Sequence, residues 1–215
     1  MPTVLGINAS PFVRKVRVAL AEKGIAYDLD PVIPVNVSDD YRKLSPLGKI
    51  PAFKDGDNVL CDSSVICAYL ERKQPQPALY PSGTYDFARA LWFEEYSDTA
   101  LAQTIGPKIF FQKVIAPAFF KRPTDEEMVT KAVSEELPPL LDYLEGQLNG
   151  DYFVANAFSI ADLSVESQLV NFYHAGFKLD AAKWPKLAKW NDRMRGRASF
   201  KPLIEEEAAA FAAVA

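Results

Sequence analysis

Histidine is nearly absent from this chain, with His174 the single example in 215 residues. A Ser-His-Asp triad or a multi-histidine metal site is therefore poorly supplied. The same holds for cysteine. Cys61 and Cys67 fit neither a CxxC pair nor a zinc spacing, and both lie in apolar stretches, where they read as buried thiols. No run of about 18 apolar residues occurs, so no membrane-spanning helix is expected. The N-terminus has no basic region leading into an apolar run, so no secretory signal is expected, and the cytoplasm is the expected compartment. A net charge of -4 offers no electrostatic footprint for nucleic acid. What is present, 49% hydrophobic and 24% charged residues, is enough to fill one large domain or two small ones.

The chain changes grammar part-way along. Its first part is mixed. Thr3 to Ile7 reads as a strand, Ser10 to Lys23 as a helix stopped by Gly24, and Tyr27 to Val32 as a second strand. Ser38 caps a short helix reaching Leu44. Ile50 to Lys54 and Asn58 to Cys61 form two strands around the Asp55-Gly56-Asp57 hairpin signal, and Ser63 to Lys73 returns to helix. The order is βαβ followed by αββα. Residues 74–83, with three prolines, read as a linker. Strand signals then stop. Helices are expected over Phe87 to Ala102, Thr124 to Leu148, Ser159 to Tyr173, Trp184 to Arg195 and from Phe200 onward, with Pro138-Pro139 kinking or breaking the second of these. His174 falls at a helix end and reads as a helix-terminal residue. Ser159 with Asp162 fits a capping box and belongs to folding rather than chemistry.

Three segments of the first part carry chemistry. In Asn8-Ala9-Ser10-Pro11-Phe12-Val13-Arg14-Lys15 a strand hands over to a helix. Ser10 suits the N-cap and Pro11 the first helical position. Free amides and the positive end of the helix dipole favour an anion there. Ser10 is either a plain cap or, in addition, a hydrogen-bond donor to a thiolate, a role that needs no catalytic base. The second segment is Ser45-Pro46-Leu47-Gly48-Lys49-Ile50-Pro51, whose last proline either simply opens a strand or forms a cis bond that presents the backbone of Ile50 to an extended peptide. The third, Cys61-Asp62-Ser63-Ser64, opens a helix. Asp62 or Ser63 caps it, and the same geometry suits the zwitterionic end of an amino acid: amides and the Ser63 hydroxyl for a carboxylate, Asp62 for an ammonium.

These motifs, in this order and ahead of an all-helical half, resemble the serine-type cytosolic glutathione transferases over essentially the whole chain. The matching residues are Ser10 to Arg17, Gly48-Lys49-Ile50-Pro51, Asp62-Ser63 and Ser159-Ile160-Ala161-Asp162. The resemblance implies a thioredoxin-like glutathione-binding domain over 1–77 and an all-helical domain over 84–215 that contributes the electrophile pocket. It also implies a homodimer and a detoxifying conjugation of glutathione, the co-substrate, to a small electrophile, with no metal. Ser10 would stabilise the glutathione thiolate. Ile50, with Pro51 cis, would pair with the cysteinyl backbone, Asp62 and Ser63 would hold the γ-glutamyl end, and Lys49 the glycyl carboxylate. Phe12, Phe110 and Phe111 are candidates for the electrophile pocket, and Asp98 for a contact across the dimer. Asp62 is shorter than the Glu or Gln often found at its position. Ile7 and Asn8 exclude a tyrosine-type mechanism, and the absence of a thiol in Ser10-Pro11-Phe12-Val13 argues against the glutaredoxin-like branch. Ala9-Ser10-Pro11 in place of Ser-Ser-Cys argues against a maleylacetoacetate isomerase. Two alternatives remain beside conjugation: a glutathione-dependent isomerase or dehalogenase, and a non-catalytic glutathione-binding or regulatory protein of the same fold.

Overall fold

The computed structural model describes residues 1–213. The chain divides into two units, Met1–Leu79 and the remainder from Tyr80. That division falls inside the proline-rich stretch.

In the first unit, β1 (Thr3–Leu5), α1 (Pro11–Glu22), β2 (Asp28–Asp30), α2 (Asp39–Leu44), β3 (Ala52–Asp55), β4 (Asn58–Cys61) and α3 (Ser63–Lys73) follow in order. The sheet order is β2-β1-β3-β4, with β1 parallel to β2 and β3 antiparallel to both β1 and β4. Side chains alternate across a strand. Leu5, Ala52 and Cys61 share one level of the sheet and pack with Tyr41 and Leu44 of α2. Val4 and Phe53, one residue along, belong to the opposite face, where α1 and α3 pack together. β4 spans the run expected for it, whereas β1, β2 and β3 are shorter than the runs that announced them. β1 stops at Leu5 because Gly6 turns the chain, and a Cβ at Gly6 would lie 2.5 Å from Val13 Cγ2. Only glycine permits that approach of the strand end to the start of α1.

Lys23 closes α1 and is wholly buried in its side chain. Its Nζ donates to Glu71 Oε2 at 2.7 Å, Gln74 O at 2.7 Å and Pro77 O at 3.0 Å. Glu71 Oε2 also accepts from the Leu79 amide at 3.1 Å, and Gln74 Nε2 donates back to Lys23 O. The first part of the linker is thus bound to the first unit, with Gln76-Pro77 in the cis form.

The second unit is helical. The helix expected over Phe87 to Ala102 begins at Thr84, and helical structure continues to Phe120: α4 (Thr84–Tyr96), a π-helical turn (Ser97–Leu101), α5 (Ala102–Ile105), a π-helical stretch (Gly106–Ile115) and α6 (Ala116–Phe120). Next come α7 (Glu126–Lys131), a π turn (Ala132–Glu136), α8 (Leu137–Gln147), α9 (Ile160–His174), α10 (Pro185–Arg195) and α11 (Lys201–Ala212). The π segments explain why the prolines do not end the helices. Proline lacks an amide hydrogen and crowds the carbonyl four residues back; a widened turn relieves both. Gly106–Ile115 contains Pro107 and precedes Pro117, and Ala132–Glu136 precedes Pro138 and Pro139. In Ser97–Leu101, where no proline lies, Ser97 Oγ and Thr99 Oγ1 each donate at 2.7 Å to the carbonyl four residues back, and such insertion into the ladder widens it too.

Every residue of α9 from Ile160 to Phe172 is buried, so this helix is the core of its unit. Its start is fixed by Asp162, whose carboxylate accepts from the amides of Ser159 at 3.1 Å and Phe153 at 3.2 Å, from Ser159 Oγ at 3.2 Å and from Trp190 Nε1 at 2.9 Å. Burial nevertheless outweighs these four donors and pushes the carboxyl up to about 6. His174 ends α9, with Nε2 2.8 Å from Glu207 Oε2. It is a helix-terminal residue in a buried pair.

Candidate active site

The register of the sheet gathers the three segments. Leu5 lies opposite Ala52, and Ala52 opposite Cys61. The chain therefore leaves β1 toward Ser10, enters β3 from Ile50-Pro51 and leaves β4 into Asp62-Ser63, all at one end of the sheet. Ser10, Lys49, Ile50, Pro51, Asp62 and Ser63 come from three distant stretches of sequence and meet there.

Ser10 is the N-cap of α1, with Pro11 at the first helical position. Its Oγ accepts from the Val13 amide at a long 3.4 Å, and Ser10 is half-exposed. A hydroxyl that accepts one bond still has its own hydrogen to donate. The helix behind it adds roughly half a positive charge at the same spot. Phe12, also half-buried, is on the first turn of α1.

The Ile50–Pro51 peptide is cis. Among the described residues neither the amide nor the carbonyl of Ile50 has a hydrogen-bond partner, because ladder pairing of β3 begins only at Ala52. The peptide before it is held firmly. Tyr41 OH donates to Lys49 O at 2.9 Å and Ser45 Oγ donates to the same atom at 2.7 Å. Burial first, and the neighbouring Cys61 second, push the Tyr41 phenol above its ordinary value, with the Ser45 hydrogen bond acting the other way. Tyr41 therefore remains a donor. The Lys49 residue is exposed.

Asp62 caps α3, its Oδ1 accepting from the amides of Ser64 at 2.9 Å and Val65 at 3.4 Å. Its backbone has φ 76° and ψ 131°, a conformation that costs a non-glycine residue on the order of 1–3 kcal/mol. This strain turns the chain sharply from β4 into the helix and leaves the Asp62 side chain exposed beside the buried Ser63. Cys61, expected to be buried, is only half-buried, because it ends a strand at this rim; its thiol donates to Leu44 O at 2.8 Å.

The other candidates belong to the second unit. Phe110 is buried with its ring 5.8 Å from Phe211, whereas Phe111 is half-buried with its ring 5.9 Å from Phe120. Asp98 is half-buried in the first π turn. Sequence reasoning missed the close approach at Gly6, the backbone strain at Asp62 and the two hydroxyls on Lys49 O. A glycine ending a strand was the available signal for the first, and no local signal marks the other two.

Comparison with known proteins agrees with this geometry. Residues 4–78 match the family model "Glutathione S-transferase, N-terminal domain" and residues 110–207 match "Glutathione S-transferase, C-terminal domain". The chain is 33% identical over 160 residues to glutathione S-transferase theta-3 of Mus musculus, a stretch covering 73% of this chain and 65% of that protein. It is 28% identical over 198 residues to the stringent starvation protein A homolog of Pasteurella multocida, covering 92% and 87% of the two. The solved human glutathione S-transferase T1-1, apo form, superimposes with a TM-score of 0.85 at 26% identity, covering 100% of this chain and 90% of that one. Two domain models of one family, which together span most of the sequence, on the fold they describe, make this chain a member of the glutathione S-transferase family.

Proposed function

We propose that the protein is a serine-type glutathione transferase. The observation that carries this reading is the convergence, at one end of the sheet, of a half-exposed N-cap hydroxyl, an unpaired Ile50 backbone before a cis proline and a strained acidic helix cap. Glutathione offers a matching group to each. Its cysteinyl backbone pairs with Ile50 as an added strand would. Its γ-glutamyl carboxylate takes the Ser63 hydroxyl and the Ser63 amide, the one amide of the first turn of α3 that the Asp62 cap does not use, its ammonium takes Asp62, and Lys49 takes the glycyl carboxylate. The sulfur then lies at Ser10, where a donated hydrogen bond and the start of α1 favour the thiolate.

The chemistry follows from that thiolate. Its lone pair forms a carbon–sulfur bond at an electrophilic carbon. Either a leaving group departs with its electron pair, or, in an addition, the adjacent carbanion takes up a proton. Phe12, Phe110 and Phe111 are the proposed apolar contacts for the electrophile, and conjugation of this kind serves detoxification. The protein is proposed to be a cytoplasmic homodimer. Two free cysteines suit a reducing compartment. On α4, Tyr85 is 76% and Trp92 50% exposed, on one helix face with Ala88 between them, an apolar stripe of the kind partners cover. Asp98 is the proposed contact to the partner's glutathione.

Ultraviolet difference titration with glutathione tests the reading. A hydrogen bond to a charged sulfur is worth about 1.5–3 kcal/mol, or roughly one to two pKa units. Wild-type protein is expected to form thiolate below the pKa of the free thiol, and Ser10→Ala to lose most of that shift. Because a more basic thiolate is also more nucleophilic, turnover below the pKa falls by only about 4- to 12-fold. Loss of the cap costs about 1 kcal/mol of stability as well. Binding without thiolate in the wild type would favour the non-catalytic reading, for which a relative named for stringent starvation rather than transfer is the motive. No binding of glutathione would refute both.

A further inference from the structure

We propose that Tyr41 and Ser45 are positioning residues for glutathione, acting through the Lys49 carbonyl on the backbone of Ile50. This rests on the reading that Ile50 receives the cysteinyl unit.

The Lys49 carbonyl and the Ile50 amide belong to one planar unit, so the direction of one fixes the direction of the other. Tyr41 OH at 2.9 Å and Ser45 Oγ at 2.7 Å both donate to that carbonyl, whose oxygen can accept two hydrogen bonds. Both residues are buried, with Tyr41 6% and Ser45 2% exposed. They come from α2 and its C-cap, which a bond from the Ser45 amide to Tyr41 O at 2.8 Å ties together. Between them and Ile50 the chain turns through Gly48 at φ 64°, whose amide donates to Ser45 O at 2.8 Å. A Cβ on Gly48 would crowd Arg42 and Val37. The far side of the loop is anchored as well, since the Cys61 thiol donates to Leu44 O. The turn is thus fixed at several points, and the Ile50 amide and carbonyl are left without partners at its edge.

Either hydroxyl can hold the carbonyl alone, and the second keeps it held when the first is lost. The Ile50 amide is thereby aimed before any ligand arrives, so that binding does not have to order the loop.

The test is calorimetric titration of Tyr41→Phe, Ser45→Ala and the double variant with glutathione and with S-methylglutathione, which cannot form a thiolate. Either single variant leaves one hydroxyl on the carbonyl, and its affinity is expected to stay within about threefold of wild type. The double variant leaves the carbonyl with no donor and is expected to lose at least about tenfold, more than the product of the singles. S-methylglutathione should lose the same factor, because the backbone contact, not the sulfur, has moved. Tyr41→Phe with Ser45→Thr, which keeps one hydroxyl, should bind like the single variant. If the double variant does not fold, Tyr41→Phe, Tyr41→Phe with Ser45→Thr and Tyr41→Phe with Ser45→Cys grade the one remaining donor by strength, and affinity must follow that order. Wild type that binds glutathione, with a folded double variant or graded series binding equally well, overturns this proposal alone. Wild type that does not bind glutathione overturns the reading beneath it.

Discussion

Lys23→Met isolates the charge at the junction of α1, α3 and the linker. Methionine keeps an apolar stem of similar length and removes the ammonium. The side chain of Lys23 is 0% exposed and that of its partner Glu71 is 16% exposed. Removing the cation takes from the largely buried Glu71 carboxylate the ammonium 2.7 Å away and takes from the carbonyls of Gln74 and Pro77 the same donor. Breaking a buried pair in this way costs about 3–5 kcal/mol. At about 2–4 °C per kcal/mol for a chain of this size, the thermal midpoint should fall by roughly 6–20 °C. Urea unfolding followed by circular dichroism should show the midpoint moving with little change in slope. Limited proteolysis should show faster cutting within residues 74–83, whose near end Lys23 holds. Glu71→Gln should be milder, because an amide oxygen still accepts from the ammonium. Lys23→Met with Glu71→Met should recover only part of the loss, since the two carbonyls stay unpaired and the Leu79 amide loses its acceptor. A loss below about 1 kcal/mol in Lys23→Met, with unchanged proteolysis, would refute the reasoning, for it would mean that water replaces the ammonium at no cost.

The remaining predictions concern assembly and pH. Trp92→Glu places a charge in the exposed apolar stripe of α4 and should convert a sedimenting dimer to monomer; an unchanged sedimentation coefficient would remove that stripe from the interface. Asp162, pushed up to about 6 by burial, should make stability fall as pH rises from about 4 to about 6. In that window the folded state binds the extra proton, so the total change is about 3 kcal/mol. The stability difference between wild type and Asp162→Asn should therefore be greatest near pH 4 and level off above pH 6. A difference that stays flat from pH 4 to pH 7 would show that the carboxylate's four donors outweigh its burial.

Legibility followed the range of the forces involved. The strands and helices of the first unit were readable because caps and turn residues act within a few positions: Ser10, Ser38 and Asp62 each cap the helix that follows them. Strand ends were less readable, since β1 ends where the chain turns at Gly6, a position with no room for a side chain against Val13, rather than where propensity changes. In the helical unit Pro138-Pro139 were expected to kink or break a helix, and the chain passes them by widening the turn before them, which no local signal in a single sequence marks. The functional residues divide the same way. Ser10 and Asp62-Ser63 carry local signals, whereas Tyr41 resembles any core tyrosine until its hydroxyl is found on a carbonyl eight residues away.

A physical consequence of the site's construction follows from that last case. The groups that would touch glutathione are mostly backbone or short side chains at the ends of elements: Ser10, Ile50, Pro51, Asp62 and Ser63. Backbone groups cannot be altered by substitution, so their aim must be set by residues behind them, and each segment has such a support. Gly6 lets β1 close on α1, Tyr41 and Ser45 fix the peptide before Ile50, and the amides of Ser64 and Val65 hold the Asp62 carboxylate. On the proposed reading, recognition of glutathione is therefore built into the end of the sheet. The apolar candidates Phe110 and Phe111 sit on a helical stretch widened by a π segment, where local geometry can change without disturbing the sheet. On that reading, the glutathione contacts and the proposed electrophile contacts fall on parts of the chain with different local structure.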